Sequence, residues 1–262
     1  MAYDFAGKHV LVTGASTGIG AALAEGLAQR GATVGICARR ADRLEDVLER
    51  CHKHAPDSRA WTIDLNDLDG LQAFAQRASA ELGGIDVLVN NAGIPKRKPV
   101  FDLTPEIVEA VMRINYFSPI RLTLALLPEI VARSGRLVFI SSVAARLSPP
   151  AEAAYAATKA AISAWAESMQ VDLRDTNVKV HVVYPGIIDT ELFHLPDNDP
   201  LPNTGVEALP VEAIVEPVVT MVEQDRLEVA VPEWFADVMA GKYRDVGAFL
   251  DGTIAFIRSQ TG

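Results

Sequence analysis

Two cysteines are too few for a disulfide framework, and neither Cys37 nor Cys51 belongs to a metal-ligating spacing. The five histidines offer no ligand set either. His52 and His54 are two residues apart, on different faces of the helix predicted there, so no metal is assigned. Basic charge is scarce: 24 Lys and Arg face 34 Asp and Glu, a formal charge of −10. That leaves no surplus to neutralise phosphates, and a nucleic-acid partner is excluded. Long apolar runs are missing too. The most apolar helical stretch, 122–132, is short and contains Pro128 and Glu129, so no segment is predicted to span a bilayer. Residues 1–5 lack the basic and apolar regions of a secretory signal. A cytoplasmic protein that binds no membrane is the expectation.

What is present is a core. Apolar residues make up 49% of the chain, enough to exclude disorder. Short β-rich runs at 8–13, 32–38, 59–63, 85–90, 135–141, 178–184 and 227–231 read as strands. Helical patterns at 18–30, 41–54, 67–82, 104–133 and 151–175 separate the first six. This alternation predicts an α/β fold with a predominantly parallel seven-stranded sheet, helices on both faces and one domain over 1–262. The rhythm breaks at 190–210, where Pro196, Asn198, Pro200, Pro202, Asn203 and Gly205 surround Leu192, Phe193, Leu195 and Leu201. That segment reads as a substrate loop, with a pinned surface loop as the plainer alternative. Residues 233–260 form a C-terminal helical extension with an apolar stripe.

The first strand runs into Thr13-Gly14-Ala15-Ser16-Thr17-Gly18-Ile19-Gly20, followed at once by helix-like sequence. Glycines at 14, 18 and 20 let a pyrophosphate approach backbone amides at a helix start, a Rossmann-type, doubly wound arrangement. Ser16, Thr17 and Ile19 complete the turn. At the end of the second strand, where an NAD site usually carries an acidic residue, the chain reads Cys37-Ala38-Arg39-Arg40. Arg39 and Arg40 suit a 2′-phosphate and favour NADP(H) over NAD(H).

Tyr155 and Lys159 share a helix face in Tyr155-Ala156-Ala157-Thr158-Lys159, with Ser142 upstream. A phenol beside an ammonium is a proton carrier tuned towards neutral pH. Asn115 stands four residues before Pro119, which cannot donate to its carbonyl, so a kink and a free acceptor are expected there.

With these motifs and Asn90-Asn91-Ala92-Gly93 and Pro185-Gly186, residues from about 7 to 191 closely resemble the short-chain dehydrogenase/reductase family. Thr158 stands where the family usually has serine. The resemblance implies hydride transfer between nicotinamide and a carbonyl or secondary alcohol, with Tyr155 as acid/base. Lys159 would lower the phenol's proton affinity and hold the nicotinamide ribose, and Ser142 would hold the substrate oxygen. Asn115 would join a water relay. The resemblance also places Asp64 and Leu65 at the adenine, Asn91, Ala92 and Gly93 beside the cofactor, and Pro185, Gly186, Ile188 and Thr190 near the carboxamide. A cofactor-sensing protein of the same fold without turnover is the alternative function.

Segments 143–150 and 192–209 are mostly apolar, which leans towards an apolar small-molecule substrate. Lys96-Arg97-Lys98 reads chiefly as a solvated charged loop, with attraction of an acidic substrate as the other reading. The tail lacks the Gly-rich turn with which many relatives build a tetramer. A homo-oligomer is still expected, with a homodimer through the long helices as one form.

Overall fold

The computed structural model describes residues 2–195, 198–200 and 205–261. Seven strands form one parallel sheet: β1 (His9–Thr13), β2 (Thr33–Ala38), β3 (Arg59–Thr62), β4 (Val87–Asn90), β5 (Arg136–Ile140), β6 (Lys179–Pro185) and β7 (Glu228–Val231). Their spatial order is β3-β2-β1-β4-β5-β6-β7. Chain direction across the sheet therefore reverses between β1 and β4. There the connections leave to opposite sides and open a crevice at the carboxyl ends of the strands.

Strand side chains alternate between two layers, as period-2 geometry requires. Val10, Val12, Val34, Ile36, Val87 and Val89 pack into one core with α1 (Gly18–Ala28) and α2 (Ala41–His52). Leu11, Cys37, Leu88, Leu137 and Phe139 face the other way, against α3 (Leu71–Leu82) and helices that follow β4 and β5. Both cysteines are buried free thiols. No helix among the described residues is long and apolar enough to cross a membrane.

The predicted helix 104–133 is two helices. α4 (Pro105–Met112) starts on Thr104, whose hydroxyl accepts from the Ile107 amide at 3.4 Å, with Pro105 in the first turn. It gives way to a π turn, Arg113–Phe117, in which the Ser118 amide reaches five residues back to the Arg113 carbonyl. α5 (Ser118–Ala132) then resumes with Pro119 in its first turn. The irregularity expected at Asn115 is thus a widened turn, which absorbs the donor that proline lacks. Helix 67–82 begins later than predicted, at Leu71, after a turn in which the Gly70 amide donates to Asp67 Oδ1 at 3.3 Å.

A short α6 (Ala144–Leu147) and the long α7 (Ala153–Asp172) connect β5 to β6. Between β6 and β7 lie a 3-10 turn at Val211–Ile214 and α8 (Val215–Glu223), neither of which stood out in the sequence. The C-terminal extension is two helices, α9 (Phe235–Arg244) and α10 (Val246–Thr261). In the loop read at 190–210, Glu191–His194 is a 3-10 turn and Ile188 bridges Leu209. Pro196, Leu201, Pro202 and Asn203 lie outside the described residues.

Candidate active site

The crevice is built from the turns after β1 and β4. Gly14 has φ 66°, and a side chain there would meet Ala92 Cα at 2.7 Å. A side chain at Gly20 would strike Asn91 Nδ2 at 2.4 Å. Thr13 holds the two turns together. Its hydroxyl donates to the Val89 carbonyl (3.2 Å) and accepts from the Asn91 and Ala92 amides (3.0 and 3.1 Å). Asn91 Nδ2 returns bonds to the Thr13 and Gly14 carbonyls at 2.8 and 3.2 Å. Thr13 was missed as a site residue, although a hydroxyl ending a buried apolar strand was a visible signal. α1 starts at Gly18 without a side-chain cap from Thr17, leaving first-turn amides to face the crevice. This cradle, with glycines at 14, 18 and 20, fits a dinucleotide pyrophosphate.

Arg40 lies against the same turn. Its guanidinium donates to Ser16 Oγ (3.3 Å) and Thr17 Oγ1 (2.8 Å), and pairs with Glu191 at 2.8 Å. Arg43 pairs with the other Glu191 oxygen at 3.1 Å. Hydrogen bonding and charge from Arg40, joined by Arg43, hold the Glu191 carboxyl below its ordinary range. Arg39 is exposed at the end of β2. Asp64 is exposed and accepts from the Asn66 amide at 3.0 Å. Leu65 is buried and lines a small cleft with Thr13, Asn90, Ala92, Ser118, Pro119 and Leu122.

Ser142, Tyr155, Lys159 and Asn115 come together beyond this cleft. Tyr155 is half-buried on the first turn of α7, and its hydroxyl bonds to Ser142. Lys159, one turn on, is buried, with Nζ donating to the Ile140 carbonyl at 2.8 Å and lying 5.7 Å from the Tyr155 ring centre. Asn115 uses its side chain as a clamp: Oδ1 accepts from the Ile94 amide (2.8 Å), and Nδ2 donates to the Ile94 carbonyl (2.9 Å). Nδ2 also reaches Thr158 Oγ1 at 3.1 Å, and that hydroxyl donates to the Tyr155 carbonyl at 2.7 Å. The threonine in the serine position therefore ties Asn115 to the start of α7. Gly93 fits between Asn115 and Lys159, where an added Cβ would lie 3.2 Å from Oδ1 and 3.4 Å from Nζ.

Electrostatics divide the pair. Burial lowers Lys159 to about 8. Burial, followed by the Glu152 charge, raises Tyr155, against the opposing hydrogen bond from Ser142 and charge of Arg97. This direction runs opposite to the tuning towards neutral pH expected from the sequence. Desolvation outweighs the neighbouring charges.

Beyond β6, the Pro185 carbonyl accepts from the Val143 amide at 3.0 Å, and the Gly186 amide donates to the Val231 carbonyl at 2.8 Å. Gly186 lies flat against the Phe235 ring. Ile188 is buried, and Thr190 closes on the phosphate turn, its Cγ2 3.1 Å from where a Gly18 side chain would begin. Arg97 corrects the reading of a solvated basic run: it is only 1% exposed.

Fold and site together define a dinucleotide-binding α/β protein. Residues 8–199 match the family model described as short chain dehydrogenase, and the chain belongs to the short-chain dehydrogenase/reductase family. The Drosophila melanogaster dehydrogenase/reductase SDR family protein 7-like is 39% identical over 191 residues, covering 71% of this chain and 59% of that one. Bovine dehydrogenase/reductase SDR family member 7B is 36% identical over 190 residues, covering 70% and 58%. The chain thus spans under two thirds of the length of these curated relatives. A Burkholderia cenocepacia short chain dehydrogenase solved in complex with NADP is 29% identical, with TM-score 0.82 over 96% of this chain and 99% of that one. A Burkholderia phymatum short chain dehydrogenase/reductase in complex with NAD, 20% identical, shares the fold at TM-score 0.84 over 94% and 96%.

Proposed function

We propose that the protein is an NADP(H)-dependent oxidoreductase acting on a carbonyl or secondary alcohol. The convergence of Ser142, Tyr155 and Lys159 beyond the glycine-built turn carries this reading. The bound dinucleotide would supply or accept the hydride. Backbone amides at Gly14, Gly18, Ile19 and Gly20 would hold its pyrophosphate, with Ser16 and Thr17 at the rim. Asp64, Leu65, Asn91 and Ala92 would line the adenosine side, and Pro185, Gly186, Ile188 and Thr190 the nicotinamide side.

Arg39 and Arg40 would take the 2′-phosphate; Arg40 already contacts Ser16 and Thr17. The NADP found in the Burkholderia cenocepacia relative supports the same preference. Ser142 would fix the substrate oxygen against the phenol. A phenol raised by burial keeps its proton at neutral pH, which suits donation to the oxygen of a carbonyl being reduced. Lys159 would stabilise the phenolate left behind and bond the nicotinamide ribose. Asn115 would anchor the relay that restores the proton. Exposed Val108, Phe117 and Leu124 on α4, the π turn and α5 support self-association through these elements.

The test is turnover of a panel of ketones and secondary alcohols with NADPH and NADH side by side. A kcat/KM at least about tenfold higher with NADPH is expected, the discrimination one charged phosphate contact provides. Equal or better rates with NADH would refute the role of Arg39 and Arg40. Intact NADPH binding without turnover would favour a cofactor sensor.

A further inference from the structure

The segment leaving β6 reaches back to the start of α2. Its stem is anchored by backbone bonds: the Asp189 amide donates to the Leu209 carbonyl at 2.8 Å, and the Leu209 amide to the Ile187 carbonyl at 2.9 Å. Thr190 then closes on the phosphate turn at Gly18. Glu191 comes next, so the backbone brings its carboxylate to this place. One carboxylate oxygen accepts from Arg40 Nη1 at 2.8 Å and the other from Arg43 Nη1 at 3.1 Å, partners 151 and 148 residues away in sequence.

Arg40 is the residue on which two demands meet. It caps the start of α2, and its Nη2 donates to Thr17 Oγ1 at 2.8 Å and Ser16 Oγ at 3.3 Å. Both terminal nitrogens are therefore engaged, one on the phosphate turn and the other on Glu191. A 2′-phosphate, assigned above to Arg39 and Arg40, would seek the same fork of N–H donors. The Arg40 hydrogen bond above all, with the charges of Arg40 and Arg43, holds the Glu191 carboxyl below its ordinary range, so it is an anion at neutral pH. An anion left beside a phosphate repels it, by several-fold in affinity even at a solvated surface. All three side chains are nearly half exposed. Ion pairs so placed contribute little to folding, which leaves ligand binding as the property they govern.

We propose that Glu191 is a specificity-determining residue for the cofactor: its carboxylate stands in for a 2′-phosphate on Arg40, and NADP(H) binds by displacing it. NAD(H), lacking that phosphate, leaves the bridge in place. Glu191 thus blunts the preference for NADP(H) that the arginines create. Such competition exists only if Arg40 serves the 2′-phosphate, and so rests on the function proposed above.

The experiment is calorimetric titration with adenosine 2′,5′-bisphosphate and adenosine 5′-monophosphate, which differ only in the 2′-phosphate. In Glu191→Gln the bisphosphate is expected to bind roughly three- to tenfold more tightly, and the monophosphate within about twofold of wild type. Arg40→Gln should weaken the bisphosphate at least about tenfold and abolish the gain, so that adding Glu191→Gln to it changes the Kd by less than about twofold. Unchanged or weaker bisphosphate binding in Glu191→Gln overturns the proposal. Equal tightening of both nucleotides also overturns it, because that is general repulsion and not competition at Arg40. In either case a loss of bisphosphate affinity in Arg40→Gln leaves the NADP(H) reading standing. If Arg40→Gln binds the bisphosphate as wild type does, the role of Arg40 fails, and the competition fails with it.

Discussion

The proposed cofactor side and the proposed substrate side of this crevice are built by different means. On the cofactor side, the turns after β1 and β4 meet through backbone groups, small residues and the single hydroxyl of Thr13. Their spacing is fixed by adjacent parallel strands, so little else in the protein can alter it. On the substrate side, the walls come from segments distant in sequence, and side chains fasten them. Arg97 reaches Asp199 across 102 residues, and Lys242 on α9 crosses 94 residues to Ser148 Oγ at 2.7 Å. A site assembled this way can change its substrate wall without disturbing the dinucleotide cradle.

The sharpest way to break that contrast is to put a side chain into the cradle. Gly14→Val would force a branched residue into left-handed backbone, 2.7 Å from Ala92 Cα. Loss of NADPH affinity by at least about a hundredfold, measured by fluorescence titration, is expected, equivalent to roughly 3 kcal/mol. Binding within a few-fold of wild type would show that the turn gives way more readily than its contacts suggest.

A smaller effect probes the strands beneath the substrate wall. His181 on β6 is fully buried, with Nδ1 2.7 Å from the Arg226 carbonyl, and burial lowers its pKa to about 4. Below its ordinary value near 6.5 the unfolded chain binds the proton more readily than the fold does. Stability therefore falls as pH drops from about 6.5 towards 4. His181→Gln should flatten that slope, removing up to about 3 kcal/mol of pH dependence in denaturant titrations at pH 7 and pH 4.5. Parallel curves for the two proteins would contradict a neutral buried histidine.

The same contrast explains what could be read from sequence. All seven strands and the phosphate turn were legible because their signals are local: apolar runs, punctuating glycines, a glycine-rich step into a helix. Asn115 was legible through Pro119, although the expected kink is a π turn. Arg97 was not. In sequence it is one cation among three, and only the fold brings residues 198–199 against it. Thr13 was overlooked because its part depends on the neighbouring strand. The rise in Tyr155 could not be foreseen either, since desolvation is a property of the packed chain and not of the motif.

One variant bears on the whole reading: Tyr155→Phe, assayed on the best substrate of the ketone and alcohol panel, with NADPH binding measured on the same samples. The ring and its packing are kept and only the proton-carrying oxygen is lost. A fall in kcat of about 10²–10⁴-fold, with NADPH Kd unchanged within about twofold, is expected. Retention of wild-type kcat would contradict Tyr155 as the proton carrier, and with it the chemistry assigned to this crevice.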